Sequence, residues 1–277
     1  MQEQITAVLT IAGSDSCGGA GMQADIKTIS SLGLYAASAI TAVTAQNTCG
    51  VRGIEAVAPA MLQAQIEAVM EDFAVSAIKI GMIYNSANVL AIKDSLSKCG
   101  YHGPLVLDPV LVATSGDTLS GNDLVATMKN ELFPMATLIT PNIPEAEVLS
   151  GMEVKSLGDM RYAATAIIDG TGVKNVLVKG GHGTGDEMTD LLFSADGTER
   201  LYSAPKVDTR NTHGTGCTLS SAIASFLAMG LDINAAVGQA KEYVHNAISA
   251  AMNLDTGHGH GSLNHLFAPE KMKVKQP

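Results

Sequence analysis

A chain of 277 residues, 46% hydrophobic and 16% charged, carries enough apolar material for a sizeable core and too little charge for disorder. Its formal charge of −10, without a basic stripe or zinc-finger spacing, argues against a nucleic-acid partner. No apolar run reaches membrane-spanning length, the start lacks a basic signal region, and Cys17, Cys49, Cys99 and Cys217 form no CxxC, so a cytoplasmic protein with reduced thiols is expected.

Strand-like and helix-like periods alternate along the chain. Val8 to Ala12 is expected to be a strand, followed by the loop "GSDSCGGAG" and a helix bearing Met22, Ile26 and Ile29. Ala39 to Thr44 is a second strand. Pro59 suits the first turn of a helix whose Leu62, Ile66, Val69 and Phe73 share a face. Short apolar runs at Ala77–Ile80, Leu105–Leu107, Leu138–Thr140 and Val176–Val178 fit buried parallel strands, separated by helices around 87–98, 121–133 and 159–169. Two runs either side of Asp196-Gly197 suggest a hairpin. Leu219, Ala222, Ile223, Phe226 and Leu227 mark a helix stopped by Gly230, and Ala236 to Ile248 mark the last long one. The tail "EKMKVKQP" is expected to fray. Repeated strand–helix units without a linker imply a single α/β domain over residues 1–277, with a mostly parallel central sheet and helices on both faces.

Ligands of such sheets collect beyond the carboxyl ends of the strands, where the polar loops of this chain fall. "HGTGC" runs into a helix, so Gly214 and Gly216 would let amides converge on an anion, and Cys217 would feel a field that favours thiolate. Asp25, four residues into its helix, would accept hydrogen bonds from a ligand or face water. In "TPNIPEAEVL", Asn142 and Glu145 either approach a magnesium ion or form a capping pair. Lys179 would meet a nucleotide phosphate or reach solvent, and Asp108 would serve metal and phosphates or bond the backbone before Pro109. No Walker A motif is present, and "TGHGHGSLNH" has no zinc-ligand spacing, so a flexible glycine loop is expected there.

Taken in order, "GSDSCGGAGMQADIKT", "VTAQNTCGV", "KIGM", "LDPV", "TPNIPEA", "VKGGH" and "NTHGTGCTLS" resemble the hydroxymethylpyrimidine/phosphomethylpyrimidine kinases, of the ribokinase-like superfamily, over roughly residues 5–267. The resemblance implies a three-layer α/β/α fold and ATP-dependent phosphorylation of 4-amino-5-hydroxymethyl-2-methylpyrimidine, then of its monophosphate, for thiamin synthesis. It further implies that Asp25 and Gln46 hold the pyrimidine's polar edge, in a pocket lined by Gly13, Met82 and Val110. Asn142 and Glu145 would form the Asn-x-x-Glu element near Mg2+, and Asp108 and Lys179 would serve the ATP phosphates. Gly214 and Gly216 would form the anion hole, and Cys217 would be the base. A monovalent cation and a homodimer are also expected. Cys17 stands where the family's loop commonly has a small residue such as serine or glycine.

Three other readings carry distinct expectations. A pyridoxal kinase of the same fold would share the cysteine loop. An acyl transferase would pair Cys217 with His213. A binding protein would turn nothing over.

Overall fold

The computed structural model describes residues 4–111, 122–180 and 186–275. Strands β2 (Ala7–Asp15), β3 (Tyr35–Asn47), β5 (Val75–Ile80), β6 (Leu105–Leu107), β7 (Leu138–Ile139) and β8 (Asn175–Val178) run parallel to one another. Strands β4 (Gly50–Ala56), β9 (Glu187–Ser194) and β10 (Glu199–Pro205) are antiparallel to their neighbours, and the sheet order is β10-β9-β8-β7-β6-β5-β2-β3-β4. The β9–β10 turn holds Gly197 at φ +83°, with Asp196 accepting from Thr198 N–H, as Asp-Gly in a hairpin requires.

Alternation along the strands creates the two hydrophobic faces. Leu9, Ile11, Ile78, Ile80, Leu105 and Leu107 point to one side, under α2 (Pro59–Asp72), α3 (Ser86–Lys98), α4 (Asn122–Glu131), α5 (Ile143–Ser150) and α6 (Leu157–Thr171). Val8, Ala77, Val106, Leu138 and Leu177 point to the other, under α1 (Gly21–Ser31), α7 (Thr215–Ala228) and α8 (Ile233–Ala251). Leu62 and Ile66 of α2 are fully buried, and each contributes about 1.5–3 kcal/mol by leaving water. The three-layer α/β/α arrangement expected from the sequence is therefore present. The expected helix near 121–133 starts at Asn122, and position 121 lies outside the described residues.

The order of strand addition reverses between β2 and β5: from β2 the sheet grows through β3 on one side and β5 on the other. Loops leaving two strands at such a switch point diverge, and the carboxyl edge there is where ligands of parallel α/β sheets collect.

One sequence expectation is overturned here. Residues 270–275 of the tail do not fray: Glu270 N–H donates to Ser31 O, Lys273 N–H donates to Gly33 O, and β11 (Val274–Lys275) pairs antiparallel with β1 (Gln4–Ile5). Gly33, at φ +80°, permits the close approach, because a Cβ there would collide with the Lys271 carbonyl.

Candidate active site

Helix α7 begins at the crevice. Its N-cap is Gly214 at φ +89°, in contact with the Gly19 carbonyl, so that any side chain at Gly214 would separate the two loops. Thr218 Oγ1 locks this turn by donating to Gly214 O at 2.8 Å. Helix α1 starts in the same place, at Gly21, whose N–H approaches the Cys217 sulfur. Two helix N-termini thus face one spot, and both are partly positive.

Beside them lies a charged cluster. A Cβ on Gly216 would fall 3.3 Å from Asp108 Oδ2 and 3.2 Å from Lys179 Nζ. Asp108 Oδ1 accepts from Lys179 Nζ at 2.7 Å and from Thr140 Oγ1 at 2.9 Å. Lys179 pairs as an isolated parallel bridge with Asn142, which sets the start of α5 against the lysine. The capping reading of Asn142 and Glu145 is correct as geometry: Asn142 N–H donates to Glu145 Oε2 at 2.8 Å and Glu145 N–H to Asn142 Oδ1 at 2.9 Å. Burial raises the Glu145 carboxyl, Lys179 lowers it, Asp108 raises it, and N–H groups of Asn142 and Leu111 lower it, leaving it at about 7. The "VKGGHG" loop beyond Gly180 lies outside the described residues.

Asp25 requires a correction. It is fully buried, as is Lys79, and each of its oxygens accepts from Lys79 Nζ, at 2.9 and 2.8 Å. Ser221 Oγ donates to Oδ1 at 2.7 Å and Thr10 Oγ1 to Oδ2 at 2.6 Å. A carboxylate offers about four acceptor positions, and these four bonds use them. In this structure protein donors take the acceptor positions expected to meet a ligand, and Asp25 neutralises Lys79, on whose Nζ Gly81 packs.

The expected activation of Cys217 is also overturned. Burial raises its thiol, Lys79 lowers it, Asp25 and Asp108 raise it, and the Gly21 N–H lowers it, with the result pushed up to about 11. The helix terminus is outweighed by desolvation and two carboxylates. Cys217 is a thiol at neutral pH.

Among the residues expected to line a substrate pocket, Gly13 packs against the Met82 methyl, and Thr41 Oγ1 donates to the Met82 carbonyl at 2.7 Å. Val110 is half-buried and donates its N–H to Asp108 O; among the described residues no hydrogen bond links it to Gln46. Gln46 is half-buried, and among the described residues its side-chain amide makes only long contacts, 3.3 Å to Thr44 Oγ1 and 3.4 Å to His213 Nε2. The single Thr44 hydroxyl proton already serves Ser14 O at 2.9 Å. The Gln46 amide is therefore weakly committed and able to turn toward a ligand.

Sequence reasoning missed Lys79, Thr140 and Ser221, which support the site from beneath, and Asp15. Burial works to raise the Asp15 carboxyl, but His213 and the N–H groups of Ala20 and Cys17 outweigh it and hold it at about 2. Its partner in space is His213, with Nε2 at 2.9 Å from Asp15 Oδ2. Two facing loops, one after β2 and one before α7, are stitched together by this pair. Asp15 thus orients His213, but the imidazole Nε2 faces Asp15 and Gln46, and no hydrogen bond joins it to Cys217 among the described residues, which removes the acyl-transferase geometry. "TGHGHGSLNH" is a packed segment and not a flexible loop: His213 N–H donates to Gly261 O, Gly259 packs on the Thr48 carbonyl, and His265 is buried against Thr218.

The phosphomethylpyrimidine kinase family model matches residues 15–264. This chain belongs to that family. A hydroxymethylpyrimidine/phosphomethylpyrimidine kinase of Rhizobium meliloti is 50% identical over 263 residues, covering 94% of this chain and 97% of that protein. A phosphomethylpyrimidine kinase structure from Clostridium difficile is 42% identical, with a TM-score of 0.77 over 87% of this chain and 99% of that one. An ADP complex of Bacillus subtilis pyridoxal kinase superposes with a TM-score of 0.84 over 95% of this chain and 98% of that one, at 30% identity. Backbone shape is shared by both kinases, whereas identity favours the pyrimidine enzymes over pyridoxal kinase. The chain is an ATP-dependent kinase, and among the described residues no helix is long and apolar enough to cross a membrane.

Proposed function

We propose that this kinase phosphorylates the hydroxyl of 4-amino-5-hydroxymethyl-2-methylpyrimidine from ATP, and then phosphorylates the resulting monophosphate to the diphosphate, in thiamin synthesis. The observation that carries the reading is the placement of Gly216 against the Asp108–Lys179 pair, with Cys217 next in sequence and Gln46 on the pyrimidine side.

In this reading the N-terminal amides of α7, opened by Gly214 and Gly216, meet the transferring phosphoryl group, and Lys179 contacts the phosphates as a point charge. Asp108 keeps Lys179 extended toward the crevice. Gln46 pairs with the aminopyrimidine edge, and Gly13, Met82 and Val110 line the pocket around the ring. Cys217 rests as a thiol and would release its proton to solvent before its sulfur takes the proton of the acceptor hydroxyl late in transfer, which suits a loose transition state in which charge stabilisation dominates.

A magnesium ion fits the donor set. Glu145, Asp108 and Asn142 offer hard oxygen atoms, and two carboxylates around one lysine leave an excess of negative charge that a cation would relieve. Glu145 and Asp108 would hold it, directly or through its waters, and it would neutralise the polyphosphate. A monovalent cation, a cytoplasmic homodimer and a single kinase domain spanning 1–277 belong to the same reading and rest on the family resemblance.

Release of ADP by the purified protein with hydroxymethylpyrimidine, its monophosphate and pyridoxal tests the proposal. Turnover is expected with the first two at much higher kcat/KM than with pyridoxal. A preference for pyridoxal would overturn it.

A further inference from the structure

Asp15, Cys17 and His213 gather their ligand atoms within 4.8 Å of one another, on the pyrimidine side of the crevice and apart from the Asp108–Lys179–Glu145 cluster. Asp15 and His213 are buried and Cys17 is half-buried. Because Asp15 is a carboxylate, it can only accept, so His213 must carry its proton on Nε2 and donate it to Oδ2. The Cys17 thiol points at the same oxygen from 3.7 Å. Beside the backbone N–H groups of Gly19 and Ala20, two side-chain hydrogens, one on nitrogen and one on sulfur, therefore converge on this oxygen.

We propose that these three side chains bind a thiophilic divalent cation of the zinc class, which takes the place of those two hydrogens and there inhibits the kinase. A tetrahedral ion at about 2.0 Å from N and O and about 2.3 Å from S separates its donors by about 3.3 Å for O–N and about 3.5 Å for O–S. The present separations are 2.9 Å and 3.7 Å, so the O–N and O–S pairs need only small adjustments. On binding, the thiol proton leaves to solvent, the imidazole proton shifts from Nε2 to Nδ1, and the carboxylate stays ionised. Thiolate and imidazole donors select against magnesium, so the ion serving the phosphates does not compete. Three protein ligands leave a fourth position for water or another small donor.

Inhibition follows from place. The imidazole that would bind the ion lies 3.4 Å from the Gln46 amide, and Asp15 also accepts from the N–H groups of Cys17, Gly19 and Ala20, which shape the loop packed on Gly214. An ion here alters both the pyrimidine contact and the loop behind the anion hole. The inhibitory half rests on the proposed kinase activity; the binding half does not.

Cobalt(II) titration of the intact protein, followed by zinc displacement, reads the site directly through the thiolate-to-cobalt charge-transfer band. Wild type and the Cys49→Ser control should show one band at one equivalent, bleached by zinc. Cys17→Ser, which keeps the backbone N–H bonds to Asp15, should lose the band and bind zinc at least tenfold more weakly. In parallel, zinc should inhibit wild-type turnover reversibly by chelator, and Cys17→Ser, active without zinc, should resist. No band in wild type, or an equal band in Cys17→Ser, overturns the site. A Cys17-dependent band with uninhibited turnover overturns the inhibitory role, and a protein that turns over no pyrimidine refutes the kinase reading while the cobalt result still decides the site.

Discussion

At Cys217 the tension is between a residue placed to take a proton and a thiol pushed up to about 11. The two acceptors of the proposed reaction separate these aspects. The hydroxymethyl group must lose a proton on attack, whereas a phosphate monoester, with a second pKa of about 6, is already ionised at neutral pH. Cys217→Ala should therefore lower kcat for the alcohol by about 10²–10⁴-fold and for the monophosphate by much less, with nucleotide binding nearly unchanged. Steady-state rates with both acceptors check this; equal losses would make Cys217 a packing residue. Gln46 tests substrate choice. Its weakly engaged amide can pair with an aminopyrimidine, and Gln46→Met should shrink the preference for hydroxymethylpyrimidine over pyridoxal by about 1–3 kcal/mol in kcat/KM. An unchanged ratio would exclude it as the selector.

Helix α5 shows how one element serves two purposes. Asn142 and Glu145 cap it, and the same Glu145 lies by Lys179 and Asp108. The linkage has a definite sign. With a folded pKa of about 7 against 4.5, the folded protein holds a proton that the unfolded chain has released, so this group's contribution to stability falls as pH rises across that window. Thermal melts without divalent cation should show wild type losing more between pH 5 and 7.5 than Glu145→Gln, and magnesium with nucleotide should offset the loss in wild type only. Parallel pH profiles would mean that Glu145 does not titrate there. Asn142→Ala removes the cap itself and should cost about 1 kcal/mol in denaturant unfolding. The pattern "NIPE" announced both roles; the excess charge around it was not readable, because Lys179 and Asp108 arrive from two other strands.

Across the molecule, the Asp25–Lys79 pair joins α1 to β5, with Thr10 of β2 and Ser221 of α7 completing its bonds. Two opposite charges with no exposed surface stabilise each other only while both are present. Lys79→Met should lose about 3–5 kcal/mol in urea unfolding, and adding Asp25→Leu should recover a good part of it. A single variant as stable as wild type would mean that water or another cation reaches Asp25. The pair also sets the field under Cys217, so this thiol is coupled to the junction of the α1–α7 layer with the sheet.

The amino-acid sequence by itself determined the layers, the strand–helix alternation and the edge at which the loops gather, because hydrophobic period and turn chemistry act within a few residues. Val8, Leu9 and Ile11 already divide between the two faces, and Gly214 already needs the left-handed turn. Only the tertiary structure decided the protonation of Cys217, the engagement of Asp25, the order of the tail and the packing of the glycine-rich segment. These depend on partners far apart in the chain: Asp25 meets Lys79 across 54 positions and Ser221 across 196, and His213 meets Asp15 across 198. A local window reads what a residue can do, and the fold supplies the burial and neighbouring charge that select which of those options it takes.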